Sequence, residues 1–138
     1  MKKRRKPSRW PLFAAGVIER FDNDVLICLP RRPEGADRLW EFPRGLARED
    51  ESPEAAMRRF AREVLGIEVE IVVGQPPLVE QAEGREIELR YFFCGILNGA
   101  VRADAYQEIR WVPKAHLREY EFDEASAPVA AWLVEHGW

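Results

Sequence analysis

The chain has 138 residues, of which 46% are hydrophobic and 33% charged, and its formal net charge is −3. These values fit one soluble globular domain and leave no room for a second. No apolar run approaches the roughly 18 residues that a membrane-spanning helix needs, and no apolar segment follows the basic N-terminus as in a signal peptide. We therefore expect a cytoplasmic protein with no membrane partner.

The two cysteines do not form a metal-binding pattern. Cys28 and Cys94 both lie in apolar, strand-like runs, and the sequence contains neither a CxxC pair nor a Cys/His cluster. We expect two buried free thiols and no zinc site.

Positive charge is concentrated at the N-terminus. Without the six basic residues among the first nine positions, the formal charge falls from −3 to −9. We expect residues 1–10 to form a basic, disordered tail and residues 11–138 to form a single domain. Because that domain is acidic, we expect it to bind nucleic acids weakly.

Apolar periodicity predicts strands on both sides of a central helix. Alternating or continuous apolar residues bounded by turn residues are typical of strands. Strands are expected at residues 12–19, 25–30, 39–42, 67–73, 78–81, 87–97 and 109–112, with turns at 22–24 and 83–85. Helices are expected at 113–117 and 124–136. This order predicts an α/β (α+β) fold in which a mixed sheet lies between helices.

The central helix has clear start and stop signals. Ser52, Pro53 and Glu54 combine a hydroxyl N-cap, a proline at the first helical position and an acid in the first turn. Gly66 is typical of a left-handed C-terminal cap. Residues 53–65 are therefore predicted to form one helix.

Charged residues in and before this helix have a regular spacing. Gly45 is followed after five residues by Glu51, and seven further residues lead to Arg59; Glu63 and Gly66 come next. Taken alone, Arg59 and Glu63 are also an ordinary i, i+4 ion pair at the edge of an amphipathic helix.

Positions 60, 63 and 64 lie within about 120° of one another on an α-helix. Three glutamates there would form the cluster of hard oxygen ligands that Mg²⁺ needs beside a diphosphate. This chain has Phe60, Glu63 and Val64 at those positions. One oxygen donor of three is present, and we expect no well-occupied Mg²⁺ at ordinary concentrations.

The spacing from Gly45 to Ile67 resembles the Nudix box: Gly, five residues, Glu, seven residues, then Arg-Glu-apolar-x-Glu-Glu-x-Gly-apolar. The preceding Trp-Glu-Phe-Pro-Arg-Gly segment at 40–45 is similar to the strand and turn that lead into the Nudix loop. Segments 14–18, 24–29, 108–113 and 120–128 resemble further parts of the MutT-like branch in the same order. The resemblance implies a Nudix-type α/β/α sandwich around a mixed sheet, and it covers nearly the whole chain.

The resemblance also implies a catalytic and metal-binding set. It places Glu51, Arg59 and Glu63 in the catalytic centre, with Mg²⁺ held by Glu63 and the carbonyl oxygen of Arg44. Glu108 is a further candidate ligand, although an exposed strand glutamate explains it as well.

Four more residues are candidates for substrate binding. Arg31 and Arg32 end the second strand, where the family often places a phosphate-contacting base; an exposed strand end is an equal alternative. Phe122 and Ser126 fall where MutT-like proteins hold a nucleobase. MutT has an asparagine where this chain has Ser126, so purine readout by two amide hydrogen bonds is not expected.

Three functional hypotheses follow. The first is a Nudix-fold protein with weak or absent hydrolase activity that retains nucleotide or partner binding. The second is an active Mg²⁺-dependent hydrolase of a nucleoside di- or triphosphate linked to another group, with Glu49, Asp50 or Glu108 completing the metal site. The third is a noncatalytic interaction domain that uses the apolar face at Phe60 and Val64, for example in a homodimer.

Overall fold

A computed structural model describes residues 11–21, 23–72, 78–82 and 87–136, with only the backbone described at 78–82. Within these ranges the strands are β1 (Leu12–Arg20), β2 (Asp24–Leu29), β3 (Arg44–Leu46), β4 (Ile67–Ile71), β5 (Leu78–Ala82), β6 (Ile87–Gly99) and β7 (Glu108–Pro113). The helices are α1 (Pro53–Phe60), a π-helical segment (Ala61–Leu65), a 3₁₀ helix (Lys114–Glu119) and α2 (Ala127–His136). No helix in these ranges is both long and apolar enough to cross a membrane.

The strands form one mixed sheet. Its order is β4-β6-β1-β2-β7, with β3 paired to β1 and β5 paired to β6. The β1–β6 pair is parallel, from Leu12 opposite Glu88 to Glu19 opposite Gly95, and the other strand pairs are antiparallel. The predicted α+β class with a mixed sheet is confirmed.

Each face of the sheet carries its own apolar core. Successive side chains on β1 point to opposite faces, so Ala14 joins one buried cluster and Ala15 the other. Met57 of α1 is buried in the first cluster, and Leu133 of α2 in the second. The sheet is therefore sandwiched between α1 and α2, as predicted.

The central helix begins and ends where predicted. The Ser52 hydroxyl accepts a hydrogen bond from the Ala55 N–H at 3.1 Å, and Gly66 adopts a left-handed conformation with φ of 75°. The last turn is π-helical rather than α-helical, and the Gly66 N–H donates to the Ala61 carbonyl. A π turn contains more residues than an α turn. The angles around the helix axis that an α-helix would give positions 60, 63 and 64 therefore do not apply in this last turn.

The predicted strand at 39–42 is wrong. Trp40 and Glu41 form only isolated bridges, to Phe122 and Cys28 respectively. The short strand is instead Arg44–Leu46, which pairs with β1. The Trp40 N–H donates to the Glu121 carbonyl at 2.8 Å, and Glu41 exchanges backbone hydrogen bonds with Cys28 of β2, so this segment links β2 to the chain near α2.

The remaining boundaries agree within a few residues, except that α2 begins at Ala127, after a turn at 124–126. The predicted tail at 1–10 and the predicted turn at 83–85 lie outside the described residues, as do Asp22 in the turn at 22–24 and residue 73 of the fourth predicted strand.

Candidate functional site

Glu51, Arg59 and Glu63 come together where the loop after β3 meets the helix. The Arg59 guanidinium donates to both oxygens of Glu51, at 2.6 and 3.0 Å, and lies 3.4 Å from Glu63 Oε2. It also donates to the Leu46 carbonyl at 2.9 Å. The side chains of Glu51 and Arg59 are only 13% and 16% exposed, whereas that of Glu63 is 51% exposed. We call these three residues the Arg59 cluster.

The Arg59 cluster keeps Glu51 ionised. The hydrogen bonds from Arg59 hold the pKa of the Glu51 carboxyl below its usual value, although desolvation acts in the opposite direction. The Arg48 N–H adds a hydrogen bond to Glu51 Oε1 at 3.0 Å. Both oxygens of Glu51 are therefore used to fasten the loop to the helix.

Phe60 is part of the core rather than the surface. Its side chain is 6% exposed, and a Cβ added to Gly45 would lie 2.5 Å from the Phe60 ring carbon Cδ2. Val64 is half-buried against the same apolar cluster. The hypothesis that these two side chains together form an exposed contact face is wrong, because Phe60 packs on Gly45.

The described acidic side chains do not form a cluster of several metal ligands, and the predicted set of Glu63 and the Arg44 carbonyl stays a prediction. The part of the chain that the structure describes contains no group of three or more His, Cys, Asp or Glu side chains that would hold a metal ion. Glu108 pairs with Arg38 at 3.2 Å and with Arg110, so its carboxylate serves another ion-pair network. Magnesium requires near-octahedral oxygen coordination, and the residues present do not fit a site built from several protein carboxylates.

The side chain of Arg44 lies inside a second, buried charge cluster. Its Nη2 is 3.2 Å from Glu41 Oε1 and 3.1 Å from Asp123 Oδ2, and the three side chains are 11% exposed or less. Asp123 Oδ1 also accepts the Ser126 N–H at 2.9 Å. This cluster connects β3 to the turn before α2. No sequence signal marked Glu41 or Asp123: Asp123 is far from Arg44 along the chain, and Glu41, three residues before Arg44, carries no sign of a buried ion pair.

Tyr106 is a third buried residue that the sequence pattern did not indicate. It is 8% exposed and belongs to the same apolar cluster as Phe60. Burial raises its pKa, as does the neighbouring Cys28, while a backbone hydrogen bond from Arg44 lowers it. Tyr106 follows β6 in a segment without strand or helix periodicity, so no sequence signal marked it as a core residue.

The four predicted substrate contacts differ in exposure and in their partners, and their role in binding a substrate stays a prediction. Arg31 is exposed and donates to the Asp104 carbonyl at 2.7 Å. Arg32 lines a cavity of about 250 Å³. The Phe122 ring stacks on Phe42, with centroids 5.4 Å apart, and Ser126 is fully buried.

The sequence profile of the NUDIX domain matches residues 10–133. The CTP pyrophosphohydrolase of Escherichia coli (strain K12) is 34% identical over 119 residues, which cover 83% of this chain and 84% of that protein. The solution structure of the E. coli ORF135 protein superposes with a TM-score of 0.69 at 26% identity, covering 88% of this chain and 86% of that one. A MutT structure, from work on Aliivibrio salmonicida and Vibrio cholerae, superposes with a TM-score of 0.70 at 25% identity, covering 91% of this chain and 96% of that one. The chain belongs to the NUDIX domain family.

Proposed function

We propose that this Nudix hydrolase family member has weak or absent hydrolase activity and retains a role in binding a nucleotide or a partner. One observation carries the proposal: Phe60, at a box position that the family fills with glutamate, is buried against Gly45. A phenylalanine ring carries no oxygen, so this position supplies no ligand for a metal ion.

The charge around Glu51 and Glu63 also supports the proposal. Arg59 contacts both carboxylates, so a divalent cation would have to compete with a guanidinium that is already hydrogen bonded to them. Nudix hydrolases generally use a divalent metal such as Mg²⁺. Losing charge stabilisation worth roughly 4 kcal/mol would slow hydrolysis about 10³-fold relative to an ordinary family member.

An active Mg²⁺-dependent hydrolase is the second candidate. It is favoured by the exposure of Glu63, whose carboxylate reaches solvent beside Glu51. Magnesium often keeps several waters and binds one or two carboxylates together with substrate phosphates. In this alternative a bound nucleotide, together with the Arg44 carbonyl, would supply the oxygen ligands to Mg²⁺ that the protein carboxylates do not provide.

A hydrolysis assay separates the two candidates. The substrates are CTP, an oxidised purine triphosphate and ADP-ribose, each with Mg²⁺ or Mn²⁺, and the proteins are the wild type and Glu63→Gln. We expect turnover at least about 10³-fold below that of an ordinary Nudix enzyme and no further loss in the variant. Robust Mg²⁺-dependent turnover that Glu63→Gln abolishes would establish the second candidate instead.

A gain-of-function pair gives an independent test. Phe60→Glu combined with Val64→Glu supplies the missing carboxylates, and we expect measurable Mg²⁺-dependent turnover where the fold persists. Because Phe60 is buried, a charge there is costly, so circular dichroism must accompany the assay. Val64→Glu alone, at a half-buried position, is the matched variant with less risk of unfolding.

Calorimetry tests the binding half of the proposal. We expect no Mg²⁺ affinity in the micromolar range without nucleotide, and a measurable heat with a non-hydrolysable CTP analogue. If that analogue and other nucleotides give no heat, the proposal of nucleotide binding is wrong, and binding of a partner is the part of the proposal that stays open to test.

Three further expectations stay predictions: a cytoplasmic location, a basic tail at residues 1–10 and a homodimer. Sedimentation of the full chain at two concentrations tests the dimer, since a monomer at both concentrations contradicts it.

A further inference from the structure

A cavity of about 660 Å³ lies at the end of the sheet where β1 turns into β2. Its walls include the charged side chain of Arg20, the rings of Phe21 and Trp111, and the apolar side chains of Ile96 and Val101. Gly45 and the Arg59 cluster lie near the other end of β1, where Gly45 pairs with Ala14. Six residues of strand, or about 20 Å, separate the two ends. The Arg20 end of the cavity is therefore remote from Gly45. Its other wall, at Gly99 and Val101, lies beside Gly66 at the end of the central helix.

Arg20 lies over two aromatic rings. Its guanidinium carbon lies 4.4 Å from the centroid of the Trp111 ring and 5.1 Å from that of Phe21. Cation–π contacts of this kind use the faces of the guanidinium and leave its N–H groups to donate in the plane. The Arg20 Nε is buried and has no hydrogen-bond partner in the described structure. Its ion-pair partner Asp24 is 3.8 Å away, beyond hydrogen-bond distance.

Phe21 presents its ring to solvent from a strained backbone. It is 82% exposed, and its φ of 52° places a bulky residue in the left-handed region. A conformation of this kind is disfavoured for such a residue and persists only where the surrounding structure imposes it. The result is an exposed aromatic surface beside the Arg20 guanidinium.

Arg110 offers a comparison within the same chain. It also lies over two rings, 5.4 Å from Trp40 and 5.7 Å from Tyr120. In contrast to Arg20, it hydrogen bonds to the Glu108 carboxylate and, at 3.4 Å, to the Tyr120 hydroxyl. Stacking on two rings therefore does not by itself leave an arginine donor unsatisfied.

The other charges near the cavity are already offset. Glu19 lines it, but its carboxylate pairs with the buried Lys114. On the opposite wall, a Cβ added at Gly95 would meet no atom within 4 Å. The cavity therefore combines a partly exposed arginine, aromatic and aliphatic walls, and free space.

We propose that this cavity binds a small planar organic anion, of the aromatic carboxylate or sulfonate class. The ring of the ligand packs on Phe21 and the aliphatic wall of Ile96 and Val101. Its anionic group accepts hydrogen bonds from Arg20, for which the guanidinium edge is well suited. A volume of about 660 Å³ lies within the range of about 300–1,000 Å³ that is typical of small-molecule sites.

Nuclear magnetic resonance titration of the full chain tests the proposal. The probe is 2-naphthoate, and 2-naphthylmethanol is its neutral counterpart. We expect 2-naphthoate to shift the Trp111 indole N–H and the amides around Ile96, and to bind at least tenfold more tightly than the alcohol. A tenfold ratio corresponds to about 1.4 kcal/mol. Equal affinity for both probes would show that Arg20 does not recognise the charge and would overturn the proposal.

Two variants and one control complete the experiment. Arg20→Gln should weaken 2-naphthoate about tenfold and leave the alcohol unchanged. A Cβ at Gly95 would meet no atom within 4 Å, so the structure has room for a larger side chain there. Gly95→Leu should therefore fill part of the cavity and abolish binding of both probes. Arg110→Gln, the matched stacked arginine, should change neither. Unchanged 2-naphthoate binding in both Arg20→Gln and Gly95→Leu, with thermal unfolding at the wild-type temperature, would exclude this site. Addition of CTP should not displace the probe, which separates the cavity from the proposed nucleotide site.

Discussion

Phe60 packs directly on Gly45, so closely that a Cβ at Gly45 would lie 2.5 Å from the Phe60 ring. The glycine and the phenylalanine belong to different parts of the chain, one on β3 and the other at the end of α1. Their contact turns a position where the family carries a metal-binding glutamate into an anchor between helix and sheet. In this chain the glycine of the box has a packing role that depends on Phe60.

The first prediction concerns this contact. Gly45→Ala should destabilise the protein by about 1–3 kcal/mol, because the added methyl group overlaps the ring. Adding Phe60→Leu should recover part of that loss, with a coupling energy of at least about 0.5 kcal/mol in a double-mutant cycle measured by urea unfolding. Strict additivity of the two changes would mean that the residues do not touch in solution.

Removal of the Phe60 ring is the second prediction. Phe60→Ala should lower the free energy of unfolding by about 3–5 kcal/mol, as expected for a buried phenylalanine that leaves a cavity. Val64→Ala, at a half-buried position on the same helical stretch, is the control and should cost less. Similar small effects for both variants would contradict the burial of Phe60.

The third prediction concerns pH. Because Arg59 lowers the pKa of Glu51 in the folded state, the ion pair stabilises the protein above the ordinary carboxyl value of 4.5. That contribution is lost as the pH falls through the lower, folded-state pKa. Glu51→Gln should therefore destabilise the protein at neutral pH by about 1–3 kcal/mol, and the difference from wild type should shrink in acid.

Urea unfolding at neutral pH and below pH 4.5 measures this effect. Glu135→Gln, an exposed position on α2, is the matched control and should give no comparable pH dependence. A stability difference between Glu51→Gln and wild type that grows as the pH falls would contradict a lowered pKa of Glu51 in the folded state.

The buried charge cluster around Arg44 gives the fourth prediction. Asp123→Ala removes one of its two carboxylate partners and the side-chain acceptor for the Ser126 N–H. Breaking a buried ion pair by removing one member typically costs about 3–5 kcal/mol. Glu124→Ala, at the exposed neighbouring position, should stay within about 0.5 kcal/mol of wild type. An equally small effect of Asp123→Ala would mean that Arg44 is solvated.

Thiol reactivity supplies the fifth prediction. Burial raises the pKa of the Cys94 thiol to about 12, and burial together with the negative charge of Glu41 raises that of Cys28. Since the thiolate is the reactive form, neither cysteine should react with Ellman's reagent at pH 8 in the native protein. Both should react in denaturant. Rapid labelling of one thiol in the folded protein would show that its strand opens.

Local chemistry determined the helix boundaries and much of the strand pattern. The cap at Ser52 depends on a hydrogen bond to a residue three positions away, and Gly66 suits a backbone conformation that other residues rarely adopt. Alternation along β1 likewise divides its residues between two faces. These signals lie within a few consecutive residues, so the sequence alone was sufficient to predict them.

The tertiary structure decided which residues meet. The sequence identified Phe60 and Val64 as departures from the Nudix box, but it did not distinguish an exposed contact face from a buried anchor. The pairing of Arg44 with Asp123 joins β3 to the start of α2, and Tyr106 enters the core from a segment without periodicity. Burial and ion pairing between distant segments depend on how the whole sheet brings them together, and a local sequence pattern carries no record of that arrangement.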